Sequence, residues 1–575
     1  MTPDDEQRQV IEADAEDRLL VVAGPGAGKT AVITERVRHL LSEGHERPGD
    51  VYVISFSRAA VSVVDARLAG VPDSEVVEVR TLDSIAAEIL ADEGVEGWER
   101  LSFDARIDRA LELLVEGAEP DVVHADHIIV DEVQDLVGRR ADLVLQILRS
   151  LEESSGFTLL GDPLQGIYDF QLGPRSGTGW TTFAGAVTGP LRARRISLTG
   201  DYRSQTDSVR AAVRTRDAVE AASTVTAKAQ VLSRALNTFA DVGPMESFAR
   251  MLPRWSGRTA VLTWTNGQAL AVWDRLWEVG VPAHLQPRAE EVVLAPWIAA
   301  VLGAAESRTM TAEEFARHAR DVSGVPSDAW ELLSKAAPSH GDRLDLGRLV
   351  RALRGWDLPP GLEVAPEGVV VSTIHRAKGL EFDNVVVVEP LAALSPARDL
   401  SDQTVREAYV AMTRGRSRVA LAEWTRDVRV RKDARSDRWY RPGRERWMTF
   451  GFELRGSDTR GALDPELAGP EVQAYIRDHV RRGDVLTLEL DPRESFEHPT
   501  YLVRHGGRTV ARTTPAFGEA FARRVRARRS GRSWPDLDAA RVETLETRAG
   551  VDPAGGGARF WLNVRAAGMA GLEWR

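Results

Sequence analysis

Two short runs hold the residue types that phosphate chemistry needs. AGPGAGKT at Ala23–Thr30 follows the apolar stretch Leu19–Val22, and VDEVQD at Val130–Asp135 follows a second apolar stretch, Ile128–Val130. A triphosphate is held where backbone N–H groups converge with a lysine, and its hydrolysis needs carboxylates around a magnesium-bound water. The first run supplies the cradle. Gly24, Gly26 and Gly28 let the backbone curl, and Ala31–Leu41 reads as a helix whose N-terminus turns N–H groups and a partial positive charge toward the phosphates. Lys29 is placed to reach the β- and γ-phosphates, and Thr30 to sit on the metal ion. Ala23 stands where the pattern's first glycine belongs and is small enough to replace it. The second run supplies carboxylates. The pair points to binding of a nucleoside triphosphate with Mg2+.

The elements that position these runs alternate. Leu19–Val22, Val51–Ser55, Val76–Val79, Ile128–Val130 and Thr158–Gly161 read as buried strands with helical patterns between them, the signature of a doubly wound parallel sheet. A second series comprises Ala260–Thr263, Val369–Ser372, Asn384–Val388 and Val419–Ala422, so the reading is two similar α/β lobes. Between them Pro296–Ala305, Thr311–Asp321 and Leu344–Arg354 read as helices of an insertion, and Gly355–Gly368 as a proline-bearing linker. Beyond Thr425 arginines mix with Trp439, Tyr440 and Trp447. Val485–Leu490, Tyr501–Arg504 and Thr509–Arg512 then read as strands, with His505-Gly506-Gly507 as a tight turn.

Composition sets limits. At 575 residues the chain holds several domains. The absence of cysteine excludes disulfides and thiolate metal sites, and suits a cytoplasmic setting. No apolar run approaches the ~20 residues of a membrane span, and Met1–Arg8 is too polar for a signal peptide. The net charge is −12, yet residues 421–575 sum to +6, which gives an acidic body a basic tail suited to phosphate. Arginine outnumbers lysine 69 to 5, so the retained Lys29 and Lys378 mark positions where a compact ammonium is wanted.

These motifs and several others, in this order, resemble the UvrD/Rep-type superfamily 1 helicases over roughly residues 1–425. The resemblance implies two RecA-like P-loop lobes with parallel sheets and a small helical insertion in the second lobe. A β-rich α+β C-terminal domain lies outside it. The implied division is a first lobe over 1–215 (reduced insertion about 85–126), a second over 216–425 (insertion about 289–368), a basic linker over 426–450 and the C-terminal domain over 451–575. On the nucleotide side, Gln7 and Arg8 resemble the adenine-reading motif. Asp131 would hold Mg2+ through water, and Glu132 would orient and deprotonate the attacking water. Gln134 and Asp135 would couple that site to the DNA side. Gln165, in LLGDPLQGIYDF, would sense the γ-phosphate. In DYRSQ, Tyr202 would stack on the base and Arg203 would reach the γ-phosphate; Glu381 would approach the ribose; Arg414, in YVAMTRGRSR, would be the arginine finger. On the DNA side the resemblance implies Phe56 and Arg58 in SFSRAA, Tyr168 and Phe170 as a stacking platform, and Thr373 and His375 in STIHRAKGLEF. Trp264 replaces a usual arginine, and either stacks on DNA or packs.

The chain departs from the family at Asp83, where histidine is usual, and at Gln171, where arginine is frequent. Its two insertions are short. Phe521–Arg529 reads as a basic helix, either a phosphate-binding face or a solvated one. The expected function is an ATP-dependent DNA helicase or translocase that moves 3′→5′ in repair, recombination or defence. Its partners would be single-stranded DNA or a 3′-tailed duplex, with a protein partner for the C-terminal domain and no membrane. The alternative is a nucleotide-gated nucleic-acid-binding protein with slow turnover.

Overall fold

Strands of Val, Ile and Leu with no polar alternation are stable only when both faces are covered, and the first lobe is built that way. The computed structural model describes residues 2–574 apart from 46, 48, 56–60, 62–63, 65–66, 69, 73, 169–177, 289–290, 306, 339–342, 356–357, 360, 396–399, 424–429, 444–447, 461–466, 496, 526–533 and 552–556. The chain forms two compact units, Met1–Asp241 with Ala377–Leu421, and Val242–Arg376 with Ala422–Arg575.

Among the described residues, the Met1–Asp241 part of unit one holds a sheet of six parallel strands: β1 (Arg18–Ala23), β2 (Val51–Ser55), β3 (Glu78–Thr81), β4 (His127–Val130), β5 (Gly156–Gly161) and β6 (Arg194–Leu198). Their order is β3-β2-β4-β5-β1-β6. β4, β5 and β1 are neighbours (Ile129 opposite Thr158, Leu20 opposite Leu159), so the turns that follow them open side by side. β3 starts two residues later than the pattern predicts, because Ser74–Val76 forms a 3-10 turn. β6 escapes the sequence pattern: it is an edge strand in which only Ile196 and Leu198 are buried. Helix α1 (Asp5–Ile11) begins with a capping box in which the Asp4 carboxylate accepts from the Gln7 amide N–H. Helix α2 (Lys29–Ser42) begins at Lys29, two residues before the predicted start, because Gly28 holds φ +83° and turns the chain straight into it. The short insertion is two helices, Leu82–Asp92 and Phe103–Glu116, packed through Ile85, Ile89, Leu111 and Leu114. Segment Ala377–Leu421 adds helix Asp402–Met412 to unit one.

In unit two, Thr259–Thr263 and Val369–Thr373 pair in parallel, and His284–Leu285 pairs with the latter on its other side. The insertion carries helices Pro296–Leu302, Ala312–Ala319, Ala329–Ala336 and Leu346–Leu353. The sequence reading misses the third helix and a small antiparallel pair of strands, Thr309–Thr311 with Arg343–Asp345.

The C-terminal part is a nine-stranded antiparallel sheet. Its order is Arg431–Asp433, Arg438–Pro442, Thr449–Leu454, Ala558–Glu573, Asp536–Val551, Val485–Leu490, Tyr501–His505, Arg508–Thr513 and Thr459–Arg460. Residues 426–450, read as a linker, therefore contain strands of this sheet. The predicted turn is a two-residue hairpin in which Gly506 (φ +53°) and Gly507 (φ +80°) link His505 to Arg508. The insertion and the sheet share one core: Leu294, Trp297 and Leu349 lie in a cluster with Phe452, Tyr501 and Phe560.

The helix expected at Phe521–Arg529 is instead Pro515–Arg524. One face of it is core, and Arg523 on it is exposed. Phe517 and Phe521 are fully buried against Phe452 and Tyr501, Arg524 lies 3.7 Å from the Tyr440 ring centroid, and 526–529 fall outside the described residues.

Candidate active site

Adjacent strand ends bring the phosphate loop, the acidic run and the Asp162–Gln165 turn together within unit one. The loop is a tight fit. A Cβ on Gly26, which holds φ +80°, would lie 2.6 Å from Asp201 Oδ1 and 3.0 Å from Arg203 Cβ, and the Tyr202 N–H donates to the Gly26 carbonyl at 2.9 Å. The segment Asp201–Arg203 is therefore clamped onto the loop. Lys29 Nζ donates to the Ala23 carbonyl at 3.2 Å and stands 4.0 Å from Glu132 Oε1.

Asp131 is buried, and Glu132 beside it is partly buried. Burial first, and then the Glu132 charge, push the Asp131 carboxyl up to about 7. Burial alone would raise Glu132 too, but Lys29, Lys378, Gln134 and Arg414 together bring it below the usual range and keep it ionised. Glu132 holds a left-handed backbone (φ +53°), which is costly for a residue with a Cβ. Its own N–H donates to Asp131 Oδ1 at 2.8 Å, and its carboxylate accepts from the Gln134 amide.

Gln134 then carries the network to the next strand. Its Oε1 accepts from the Asp162 N–H at 2.8 Å. Asp162 Oδ2 accepts from Gln165 Nε2 at 2.9 Å, and Gln165 Oε1 accepts from Arg414 Nη2 at 2.6 Å. Arg414 is buried, and burial, followed by the Arg203 charge, lowers its guanidinium to about 10. Arg203 Nη1 donates to the Thr413 carbonyl at 3.2 Å, and its Nε pairs with Glu381 at 3.0 Å. Glu381 also pairs with Arg416. Gln7 is buried, with Nε2 donating to the Ala27 carbonyl at 3.0 Å and Oε1 accepting from the Asp4 N–H, so its amide braces the loop. Arg8 points away from the loop, to Asp5 and the Pro3 carbonyl. The Tyr202 ring is half exposed, and its hydroxyl donates to Asp4.

A hard cation fits the donor set. The Thr30 hydroxyl at the start of α2 and the Asp131 carboxylate are oxygen ligands of the kind Mg2+ takes alongside substrate phosphates. Among the described residues no group of three or more His, Cys, Asp or Glu could hold a metal. When bound, the cation would neutralise charge on the phosphates.

Lys378 is a site residue that its rarity had marked without giving it a role. It pairs with buried Asp135, donates to the Gln165 carbonyl, and its ammonium lies 5.0 Å from the Tyr168 ring centroid. Asp135 is pushed up to about 7 by burial despite that partner. No sequence signal marked Arg216, which reaches Asp162. Asp83 does not stand alone, because Arg140 Nη2 pairs with it at 3.2 Å. Phe56, Arg58 and Phe170 lie outside the described residues. Trp264, Thr373 and His375 belong to unit two. There the Trp264 N–H donates to Gln268 Oε1 at 3.1 Å, and Thr373 Oγ1 accepts from the Arg376 N–H at 3.3 Å. The Trp439 ring fills the space beside Gly267 in the same motif as Trp264.

The profile of the UvrD/REP helicase N-terminal domain matches residues 3–109, and that of the UvrD-like helicase C-terminal domain matches residues 368–422. The chain carries UvrD-like helicase domains. Three relatives share parts of this UvrD-like sequence. The ATP-dependent DNA helicase SRS2 of Saccharomyces cerevisiae is 38% identical over 91 residues, which is 15% of this chain and 8% of that protein. DNA helicase IV of Escherichia coli is 34% identical over 77 residues, 13% and 11% of the two chains. The ATP-dependent DNA helicase UvrD2 of Mycobacterium tuberculosis is 30% identical over 150 residues, 24% and 20%. Each match thus spans a fifth or less of the relative's length. Among the described residues no helix of the UvrD-like chain is long and apolar enough to cross a membrane.

Proposed function

We propose that the chain is a DNA-stimulated ATPase that moves 3′→5′ on single-stranded DNA and acts as a helicase or translocase in repair, recombination or defence. One observation carries this reading. A continuous hydrogen-bonded path runs from Glu132 through Gln134, Asp162 and Gln165 to Arg414. In the proposed reaction Lys29 holds the β- and γ-phosphates and Glu132, kept ionised, takes the proton of the attacking water. Arg203 and Arg414 meet charge on the phosphoryl oxygens. Thr30 and Asp131 would hold Mg2+. A site that only bound nucleotide would have no need of an ionised base wired to a guanidinium. The polarity, the DNA substrate and the DNA-side roles of Phe56, Arg58, Tyr168, Phe170, Trp264, Thr373 and His375 rest on the family resemblance. Partial likeness to proteins named as DNA helicases supports the same reading.

The test is ATP hydrolysis with and without single-stranded DNA, with Glu132→Gln in parallel. Stimulation that vanishes in the variant supports the ATPase. Slow turnover, indifferent to DNA, with DNA still retained when ATP is present, would replace it with a nucleotide-gated binder.

A further inference from the structure

Asp162 is a fully buried carboxylate inside the network just described, and its one cationic partner among the described ion pairs is Arg216 on helix Asp207–Ala221. Arg216 Nε lies 3.4 Å from Asp162 Oδ1, and its Nη2 lies 2.9 Å from Glu220 Oε1. The stem of the side chain runs against the phosphate loop: a Cβ on Gly24 would meet Arg216 Cδ at 3.2 Å. One largely buried arginine thus touches both the loop and the turn that carries Gln165.

The consequence lies in the Gln165 amide. A carboxylate can only accept and a guanidinium can only donate. Between the Asp162 carboxylate and the Arg414 guanidinium, Gln165 must turn its NH2 to Asp162 and its oxygen to Arg414, as the 2.9 Å and 2.6 Å contacts require. The opposite orientation sets oxygen against carboxylate and NH2 against guanidinium. We propose that Arg216 is a positioning residue for ATP hydrolysis: by balancing Asp162 it fixes the Gln165 amide, and through that amide the aim of Arg414. The proposal rests on the ATPase reading above. Arg216 stays charged, since Asp162 and Glu220 outweigh the effect of its burial.

The experiment uses the full chain and four variants: Arg216→Met, Arg216→Lys, Asp162→Asn, and the double variant Arg216→Met with Asp162→Asn. Steady-state kcat and KM for ATP are measured with saturating single-stranded DNA, and affinity is measured for a fluorescent ADP analogue. Misaiming a catalytic group by about 1 Å costs on the order of 100-fold. Arg216→Met is therefore expected to lower kcat by about 10- to 100-fold, with KM and ADP affinity changed less than about 3-fold. Arg216→Lys should recover most of the loss, and the double variant should be no slower than the slower single one. A kcat near wild type in Arg216→Met overturns the inference alone. So does ADP affinity that falls in step with kcat, or losses that multiply in the double variant. A wild-type chain that binds the ADP analogue but hydrolyses no ATP sinks the ATPase reading, and the inference with it.

Discussion

His127 gives the fold of unit one a calculable pH dependence. It sits fully buried on β4, the strand that ends at Asp131 and Glu132. Its Nδ1 lies 2.6 Å from the Ala15 carbonyl, which can only accept, so Nδ1 carries the proton; Nε2, 2.9 Å from Thr158 Oγ1, then accepts from that hydroxyl. A second proton would turn the Thr158 bond round, with Nε2–H donating to the hydroxyl, and leave a charge inside the sheet. Burial, and after it the charge of Arg36, lowers the ring to about 3 from the ordinary 6.5. The folded state therefore binds fewer protons than the unfolded one. The stabilisation is complete above pH 6.5 and is lost as the pH falls below it. At pH 5.0 the loss is 1.5 pH units at about 1.36 kcal/mol each, or about 2 kcal/mol. In His127→Gln, an amide NH2 can donate to Ala15 and an amide oxygen accept from Thr158, with nothing to titrate. Hydrogen exchange of β4 and β5 peptides at pH 7.5 and 5.0, corrected for intrinsic rates, reads the local opening free energy. Wild type should lose about 2 kcal/mol more than His127→Gln between the two pH values. Equal losses in both proteins would refute the reasoning.

Two further predictions concern the loop and the C-terminal sheet. Gly26→Ala forces a Cβ to 2.6 Å from Asp201 Oδ1 at a backbone with φ +80°. Titration with a fluorescent ADP analogue should show affinity reduced about 5- to 30-fold, the equivalent of roughly 1–2 kcal/mol of strain; an unchanged Kd would mean that the clamp of Asp201–Arg203 is not required. Arg438 meets Asp458 through two bonds of 2.6 and 2.7 Å, both side chains buried. Arg438→Met should destabilise unit two by about 3–5 kcal/mol, and adding Asp458→Asn should recover part of it, because the stranded charge is then gone. Thermal unfolding in which the double variant is no better than the single one would count against that account.

Strands β1, β2, β4 and β5 of unit one were legible because buried Val, Ile and Leu dominate them, whereas β6 carries only two apolar residues; the loop was legible because Gly26 and Gly28 sit where φ is positive. The C-terminal hairpin Asp536–Val551 with Ala558–Glu573 was not. Ala566, Ala567, Gly568 and Ala570 carry little strand preference, and they are buried because other elements cover them: the Met569 N–H donates to Asp274 on helix Asn266–Glu278 at 3.0 Å. Motif residues announced themselves by type and spacing. The residues that hold them did not. Arg216 is one of 69 arginines and becomes specific only when folding brings it to Asp162. Lys378 was conspicuous as one of five lysines, yet its partners Asp135 and Tyr168 are more than 200 positions away. Gln7 was read as an adenine contact; the structure adds bonds from its amide to Ala27 and Asp4, which no spacing reveals.

The central claim is an ATP-driven motor with polarity on single-stranded DNA. Streptavidin displacement from oligonucleotides biotinylated at one end tests it most directly, with Glu132→Gln as the inactive control. The account predicts ATP-dependent release from the 5′ end, little from the 3′ end, and none in the variant. Release from the 3′ end alone would contradict the polarity, and no ATP-dependent release from either end would contradict the motor.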